Sequence, residues 1–192
     1  MSLDRRAAMA ALTQGRDDNL LVVPGLGSTT WDAAAAAGGN DDRDFYLWGA
    51  MGGAAMIGLG LALAQPKLRV AVITGDGEML MGLGSLATIG VKQPGNLSIV
   101  VLDNRHYGET GMQASHTASG IDLIAIAKAC RFADARAAHT DLDIDDTRRL
   151  LHASHGPSFT QVHVKTDDVP RVLPIRDGHE IKHRFMEALS KS

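Results

Sequence analysis

Two short segments of this chain carry side chains suited to holding a divalent cation. Gly75-Asp76-Gly77-Glu78 follows the apolar run AVIT, and Asp103-Asn104-Arg105-His106-Tyr107-Gly108 follows the apolar run IVVL. The residues between fit one helix over 79–91 and a turn at Gln93-Pro94-Gly95-Asn96, so the whole reads as a strand–helix–strand unit. Asp76 and Asn104 then fall at the same end of two parallel strands. Neighbouring strands lie about 4.8 Å apart, close enough for two oxygen side chains to share a cation. Mg²⁺ suits this set, because it takes oxygen ligands and is held by few protein groups together with substrate or cofactor phosphates. Asp76 offers a charged oxygen, Asn104 a neutral one, and the backbone carbonyl of His106 a third. Gly75 and Gly77 let the main chain approach a ligand closely, and the N–H groups opening the following helix favour an anion.

These residues need a scaffold that brings strand ends together. Strand-like runs at 20–23, 45–48, 69–74, 97–103, 134–137 and 159–165 alternate with helical patterns near 30–37, 51–64, 79–91, 122–130, 144–154 and 180–190. The two central strands are almost continuously apolar, as expected of parallel strands covered on both faces. The reading is an α/β fold: one domain over 1–192, with an open, mostly parallel six-stranded sheet and helices on both sides. In such sheets, ligands sit beyond the carboxyl ends of the strands, where Asp76 and Asn104 are placed.

The spacing also resembles a family motif. Asn104 stands 28 residues after the Asp of Gly75-Asp76-Gly77, in an LDN context. This is similar to the motif of thiamine diphosphate-dependent 2-oxo acid decarboxylases. The resemblance continues through FYLWGAMG at 45–52, IGLGLALAQP, MGLGSLATIG, Tyr107-Gly108-Glu109-Thr110-Gly111 and Gly156-Pro157-Ser158-Phe159, so that it covers nearly the whole chain. Within the family it lies nearest the enzymes acting on sulfopyruvate and phosphonopyruvate. It implies thiamine diphosphate and Mg²⁺ as cofactors, with Asp76 and Asn104 as side-chain ligands and His106 as a carbonyl ligand. Gly77 and Glu78 are then expected beside the diphosphate, with the Glu78 carboxylate turned away. Gly49 and Met51 hold the aminopyrimidine, the Met51 side chain wedges between the two rings, and Gly27 and Thr30 match a weaker diphosphate-contact pattern. Asp103 replaces the first of the usual paired Asn residues, and Ala50 the common Ser of G-S-M-G.

The resemblance covers only the diphosphate-binding half of such an enzyme. The glutamate that activates the cofactor belongs to a pyrimidine-binding domain of roughly 150 residues, about one further domain. The expectation is therefore a split enzyme: a hetero-oligomer in which a pyrimidine-binding, α-type subunit supplies that Glu and the substrate is a small anionic 2-oxo acid. Another lyase or carboligase on the same scaffold, or a non-catalytic cofactor-binding module, are the competing readings.

Other signals have plainer explanations. His179-Glu180-Ile181-Lys182-His183 matches a zinc-protease pattern, but Asp177 reads as the N-cap of a terminal helix with Glu180 in the first turn and an apolar stripe at Ile181, Phe185, Met186 and Leu189. Gly82-x-Gly84-x-x-Ala87 resembles a dinucleotide fingerprint but falls inside a predicted helix. The acidic cluster at 141–146 reads as a helix start. His116 is the histidine best placed to reach substrate, while Arg105 either meets an anionic substrate or is solvated. The net charge of −3 gives no reason to expect nucleic acid or an anionic membrane. The uncharged stretch 45–66 raises a membrane helix, which the turn-like Gly residues near its start argue against. The single Cys130 excludes an intrachain disulfide or a Cys-ligated cluster and points to a reducing, cytoplasmic compartment.

Overall fold

The structure is a computed structural model describing residues 2–153 and 155–190. Five parallel strands, β1 (Leu20–Pro24), β2 (Arg69–Gly75), β3 (Leu97–Asp103), β6 (Asp134–Ala138) and β7 (Ser158–His163), form one sheet in the order β1-β2-β3-β7-β6. A two-residue hairpin, β4 (His106–Tyr107) with β5 (Gln113–Ala114), stands beyond the end of β3. The helices are α1 (Arg5–Thr13), α2 (Ser28–Ala36), α3 (Ala54–Ala64), α4 (Asp76–Met81), α5 (Gly84–Lys92), α6 (Leu123–Ala129), α7 (Asp141–Leu151) and α8 (Gly178–Ser190).

Alternate residues of the central strands enter two different cores. Val70, Val72, Ile99 and Val101 pack with residues of α3, α5 and α6. Ala71, Ile73, Val100 and Leu102 pack with residues of α1, α2 and α7. Both faces are buried, which is why the strands show no apolar/polar alternation. The acidic start of α7 is a helix terminus, as predicted: Thr140 and Asp143 form a reciprocal capping box. Asp177 Oδ1 likewise accepts the N–H groups of His179 and Glu180 at the start of α8. Ser154, the end of the predicted 144–154 helix, lies outside the described residues.

Three expectations are corrected. The sheet has five strands, because 45–48 does not join it. Asp44 makes one bridge to Val22, and the Phe45 N–H donates to the Val22 carbonyl. The chain then leaves the sheet edge: Phe45 packs edge-on against Phe185, and Trp48 Nε1 donates to the Ile175 carbonyl. These aromatic residues are apolar because α8 and the segment before it cover them. The predicted 79–91 helix is broken at Gly82-Leu83 into α4 and α5. Here the backbone of Gly52, at φ 92°, presses on that of Gly82, and a Cβ on Gly82 would fall on the Gly52 carbonyl oxygen. Finally, Met186 is exposed while Ala188 is buried, so the inner stripe of α8 is Ile181, Phe185 and Ala188. Among the described residues no helix is long and apolar enough to cross a membrane.

The Gly52–Gly82 contact sets where residues 50–53 lie. Gly82→Ala must push the two backbones apart, so it should lower stability by about 1–3 kcal/mol, the usual cost of overpacking. Urea denaturation reads this directly, and an unchanged midpoint would contradict the contact.

Candidate functional site

The register of β2 on β3 pairs Gly75 with Leu102, so the next residues, Asp76 and Asp103, stand side by side at the strand ends, Asp103 still paired with His163 of β7. Asp76 is 2% exposed and Asp103 1%. Two hydroxyls lie between these carboxylates. Ser115 Oγ donates to Asp76 Oδ2 at 2.5 Å, Thr117 Oγ1 donates to Asp103 Oδ1 at 2.9 Å, and the two hydroxyl oxygens are 2.9 Å apart. Two hydroxyl protons serve three short contacts, so with both acids ionised one contact has no proton. Burial first, and the Asp103 charge after it, push the Asp76 carboxyl up to about 6, against the lowering effect of the Ser115 hydrogen bond. A cation at Asp76 offsets both the repulsion and the desolvation.

Asp103 also holds the turn that follows β3. Its oxygens accept the Arg105 N–H at 2.9 Å and Gln161 Nε2 at 2.6 Å. Arg105 sits at φ 64°, in the left-handed region. This sharp turn places Asn104 and His106 on the lining of a cavity of about 450 Å³ that Asp76 also lines. Asn104 Oδ1 accepts the His106 N–H at 2.9 Å, and its second lone pair can serve a cation. Carboxylate, amide and peptide oxygens are the hard donors that Mg²⁺ takes.

The same cavity is lined by Met51, Gly75, Gly77, Glu78, Tyr107 and Gly108. A Cβ on Gly77 would come within 2.6 Å of the Tyr107 ring and 3.6 Å of Met51 Cε, so these two side chains close over bare backbone. Glu78 lines the wall but is 4% exposed, and its carboxylate turns inward. Oε2 accepts from Leu26 N and Thr74 Oγ1, both at 2.8 Å, while Oε1 accepts from Ala54 N at 3.3 Å. Gly53 offers α3 no capping side chain, so Glu78 supplies the negative charge at the positive end of that helix.

Thr30, Gly27, Gly49 and His116 stand apart from the lining. Thr30 is buried, and its hydroxyl donates to the Gly25 carbonyl at 2.8 Å, which fixes the loop after β1. Gly27 lies between two lining residues, Leu26 and Ser28, with the Glu109 side chain packed against it. Gly49 is exposed at the start of the turn that carries Met51. His116 is exposed, with Nδ1 3.2 Å from the Tyr107 hydroxyl. Arg105 also misses this cavity and faces another. The cations that line it are Arg5, paired with the buried Asp32 at 2.5 Å, and Arg171, stacked 4.3 Å over Trp31.

Sequence reasoning missed Ser115, Thr117, Thr74, Gly25 and Arg5. The first two lie 39 and 41 residues from Asp76, and isolated hydroxyls carry no motif. Gly25 had a readable partner: a Cβ there would meet Glu78 Oε2 and Thr74 Oγ1. A buried acid at position 78 demands donors, and Thr74, near the end of β2, is only four residues before it.

Among the described residues no group of three or more His, Cys, Asp or Glu side chains forms a metal cluster, and the His179–His183 pair on α8 is two rings in edge contact.

Comparison with known proteins places the whole arrangement. Residues 25–162 match the family model described as thiamine pyrophosphate enzyme, C-terminal TPP binding domain. The chain is 40% identical over 187 residues to the sulfopyruvate decarboxylase subunit beta of Methanothermobacter thermautotrophicus, covering 97% of this chain and 96% of that one. It is 42% identical over 155 residues to the phosphonopyruvate decarboxylase of Streptomyces viridochromogenes, of which the match spans only 37%. The fold overlays a thiamine diphosphate-dependent 4-hydroxybenzoylformate decarboxylase from Rhodococcus jostii RHA1 with a TM-score of 0.70 at 20% identity, over 88% of this chain and 34% of that one.

Ser115 orients the carboxylate of Asp76 without lining the cavity itself. Ser115→Ala should therefore weaken Mg²⁺ affinity by about 10–100-fold, the usual cost of losing a group that orients a metal ligand. Calorimetric titration measures it, and unchanged affinity would remove Ser115 from the site.

Proposed function

The chain belongs to the thiamine pyrophosphate enzymes, and from that premise we propose that it is the cofactor-binding subunit of a two-subunit 2-oxo acid decarboxylase. Sulfopyruvate is the leading substrate and phosphonopyruvate the second. The observation that carries this reading is the end-to-end match to a decarboxylase β subunit, together with a cavity that retains the oxygen donors a metal–diphosphate needs.

In this reading Asp76 and Asn104 hold Mg²⁺ through their side chains and His106 through its carbonyl. The Gly77 main chain, which lines the cavity beside Tyr107 and Met51, lies along the diphosphate. The Gly49 carbonyl and the Met51 N–H hold the aminopyrimidine, and the Met51 side chain supports the bent form of the cofactor. When bound, thiamine diphosphate supplies the electron sink that lets the carboxylate of a 2-oxo acid leave as CO₂. The chain's own residues bind, orient and exclude water. Glu78 and Thr30 act one layer back, tying the loop after β1, the end of β2 and the start of α3 into one rigid wall. Cys130 is a free thiol, in keeping with a cytoplasmic setting.

The activating glutamate comes from a pyrimidine-binding partner subunit. Support for a partner comes from α3, whose sequence AAMIGLGLALA is apolar on every side. A helix of that kind is normally covered all round. Yet Met56, Gly60 and Leu63, spaced as one helical stripe, are exposed, with Met56 at 44% and Leu63 at 51%. The partner covers this stripe.

The test is CO₂ release from a panel of 2-oxo acids by the chain alone and with its co-purified partner. The complex should turn over sulfopyruvate, and the chain alone should show little activity. Leu63→Glu should cost the partner at least tenfold in affinity while leaving the chain folded. Full turnover by the isolated chain, or a complex indifferent to Leu63→Glu, would contradict the split-enzyme reading.

A further inference from the structure

A second cavity, of about 410 Å³, lies on the other side of the Asn104–His106 turn, between the carboxyl ends of β3 and β7 and the residue after β6. Its lining is rich in basic groups: Arg105, Lys165, His139 and His163, with His106 on the wall it shares with the cofactor cavity. His139 and His163 stack in parallel, with centroids 4.5 Å apart and an interplanar angle of 2°. The His163 ring is half-buried and the His139 ring stacks on its exposed side.

The charges of this cavity are not balanced from within. Asp103 is the only carboxylate among the lining residues. Its oxygens are engaged by the Arg105 N–H, the Thr117 hydroxyl and the Gln161 amide, and His163 Nδ1 stands 3.9 Å away. Among the described residues, neither the Arg105 guanidinium nor the Lys165 ammonium has a carboxylate within 4.0 Å. The turn that places Asn104 and His106 in the first cavity turns Arg105 into the second. The N-terminus of α7, directly after His139, is already capped by Asp143, whose Oδ2 accepts the His139 and Thr140 N–H groups, so the positive field of the cavity comes from its side chains.

We propose that this cavity binds a small oxyanion of the phosphate, phosphonate or sulfonate class, gripped by Arg105 and Lys165 against the stacked His139–His163 wall. The site is distinct from the diphosphate site and does not depend on the chain's being a decarboxylase subunit. Guanidinium and ammonium groups converging on a walled space suit a compact, multiply charged anion. Because the Asn104–His106 turn forms the wall between the two cavities, occupancy of one bears on the ligands of the other.

The test is an NMR titration of the full chain with inorganic phosphate at fixed pH and matched ionic strength. The His139 and His163 ring resonances report the second cavity, and the Trp31 indole N–H reports the first. Saturable shifts of both histidines in the millimolar range, not reproduced by chloride, are expected. Arg105→Gln with Lys165→Gln should weaken that binding at least tenfold. Lys165→Gln alone, at an exposed position with no ion pair, should weaken it measurably even if the double variant fails to fold. Shifts confined to Trp31, shifts that chloride reproduces, or phosphate binding unaffected by Lys165→Gln would overturn the proposal.

Discussion

Two carboxylates that must share the end of one pair of strands organise the site. The β2–β3 register places Asp76 beside Asp103, and burial withholds the water that would screen them. At a strand spacing of about 4.8 Å such a pair is unfavourable unless something positive or proton-bearing intervenes. The two acids resolve this differently. Asp103 is satisfied by donors: a main-chain N–H, a hydroxyl and an amide surround it. Asp76 receives its hydroxyl on one oxygen, and its residue lines the cavity, where a cation can complete it. The division of labour explains why Asp is tolerated at 103 where the family uses Asn. At that position the side chain holds the turn, and the proposed ligand, Asn104, is untouched by the change.

Around this pair, close backbone approach does most of the positioning. Gly52 against Gly82 fixes the turn carrying Met51, and Gly77 lets the Tyr107 ring and the end of Met51 settle against main chain. Glu78 is the counterpart on the hidden side. Its carboxylate joins three segments distant in sequence and caps α3, so the cavity wall moves as one piece. The apolar stripe of α3 extends from that wall to the surface, linking the proposed partner contact to the cofactor site through a single helix.

Much of this was legible in the sequence because it rests on local pattern. β2 and β3 announced themselves as continuous apolar runs, and Asp76 and Asn104 followed from their ends. A turn after Asn104 was legible too, although its left-handed residue is Arg105, a type that does not announce it. What escaped notice depends on distant partners. Residues 45–48 look like a strand because they are apolar and aromatic, but that character comes from burial under α8 rather than from a ladder. Gly82 breaks a helix only because Gly52 arrives there from 30 residues away in sequence. Ser115 and Thr117 matter only through acids that a fold, and not a motif, brings to them. Arg105 read equally well as a substrate contact or a solvated side chain; the turn settles its direction, into a second cavity.

The central claim is that the Asp76–Asp103 pair is held at a cost to stability that a cation relieves. Thermal unfolding of Asp76→Asn measures it most directly, with and without Mg²⁺ and thiamine diphosphate. Removing one charge from the pair should raise the melting temperature of the ligand-free protein and abolish the further rise that metal and cofactor produce in the parent chain. A variant that melts lower without ligands, or that keeps the full ligand-induced rise, would contradict the account.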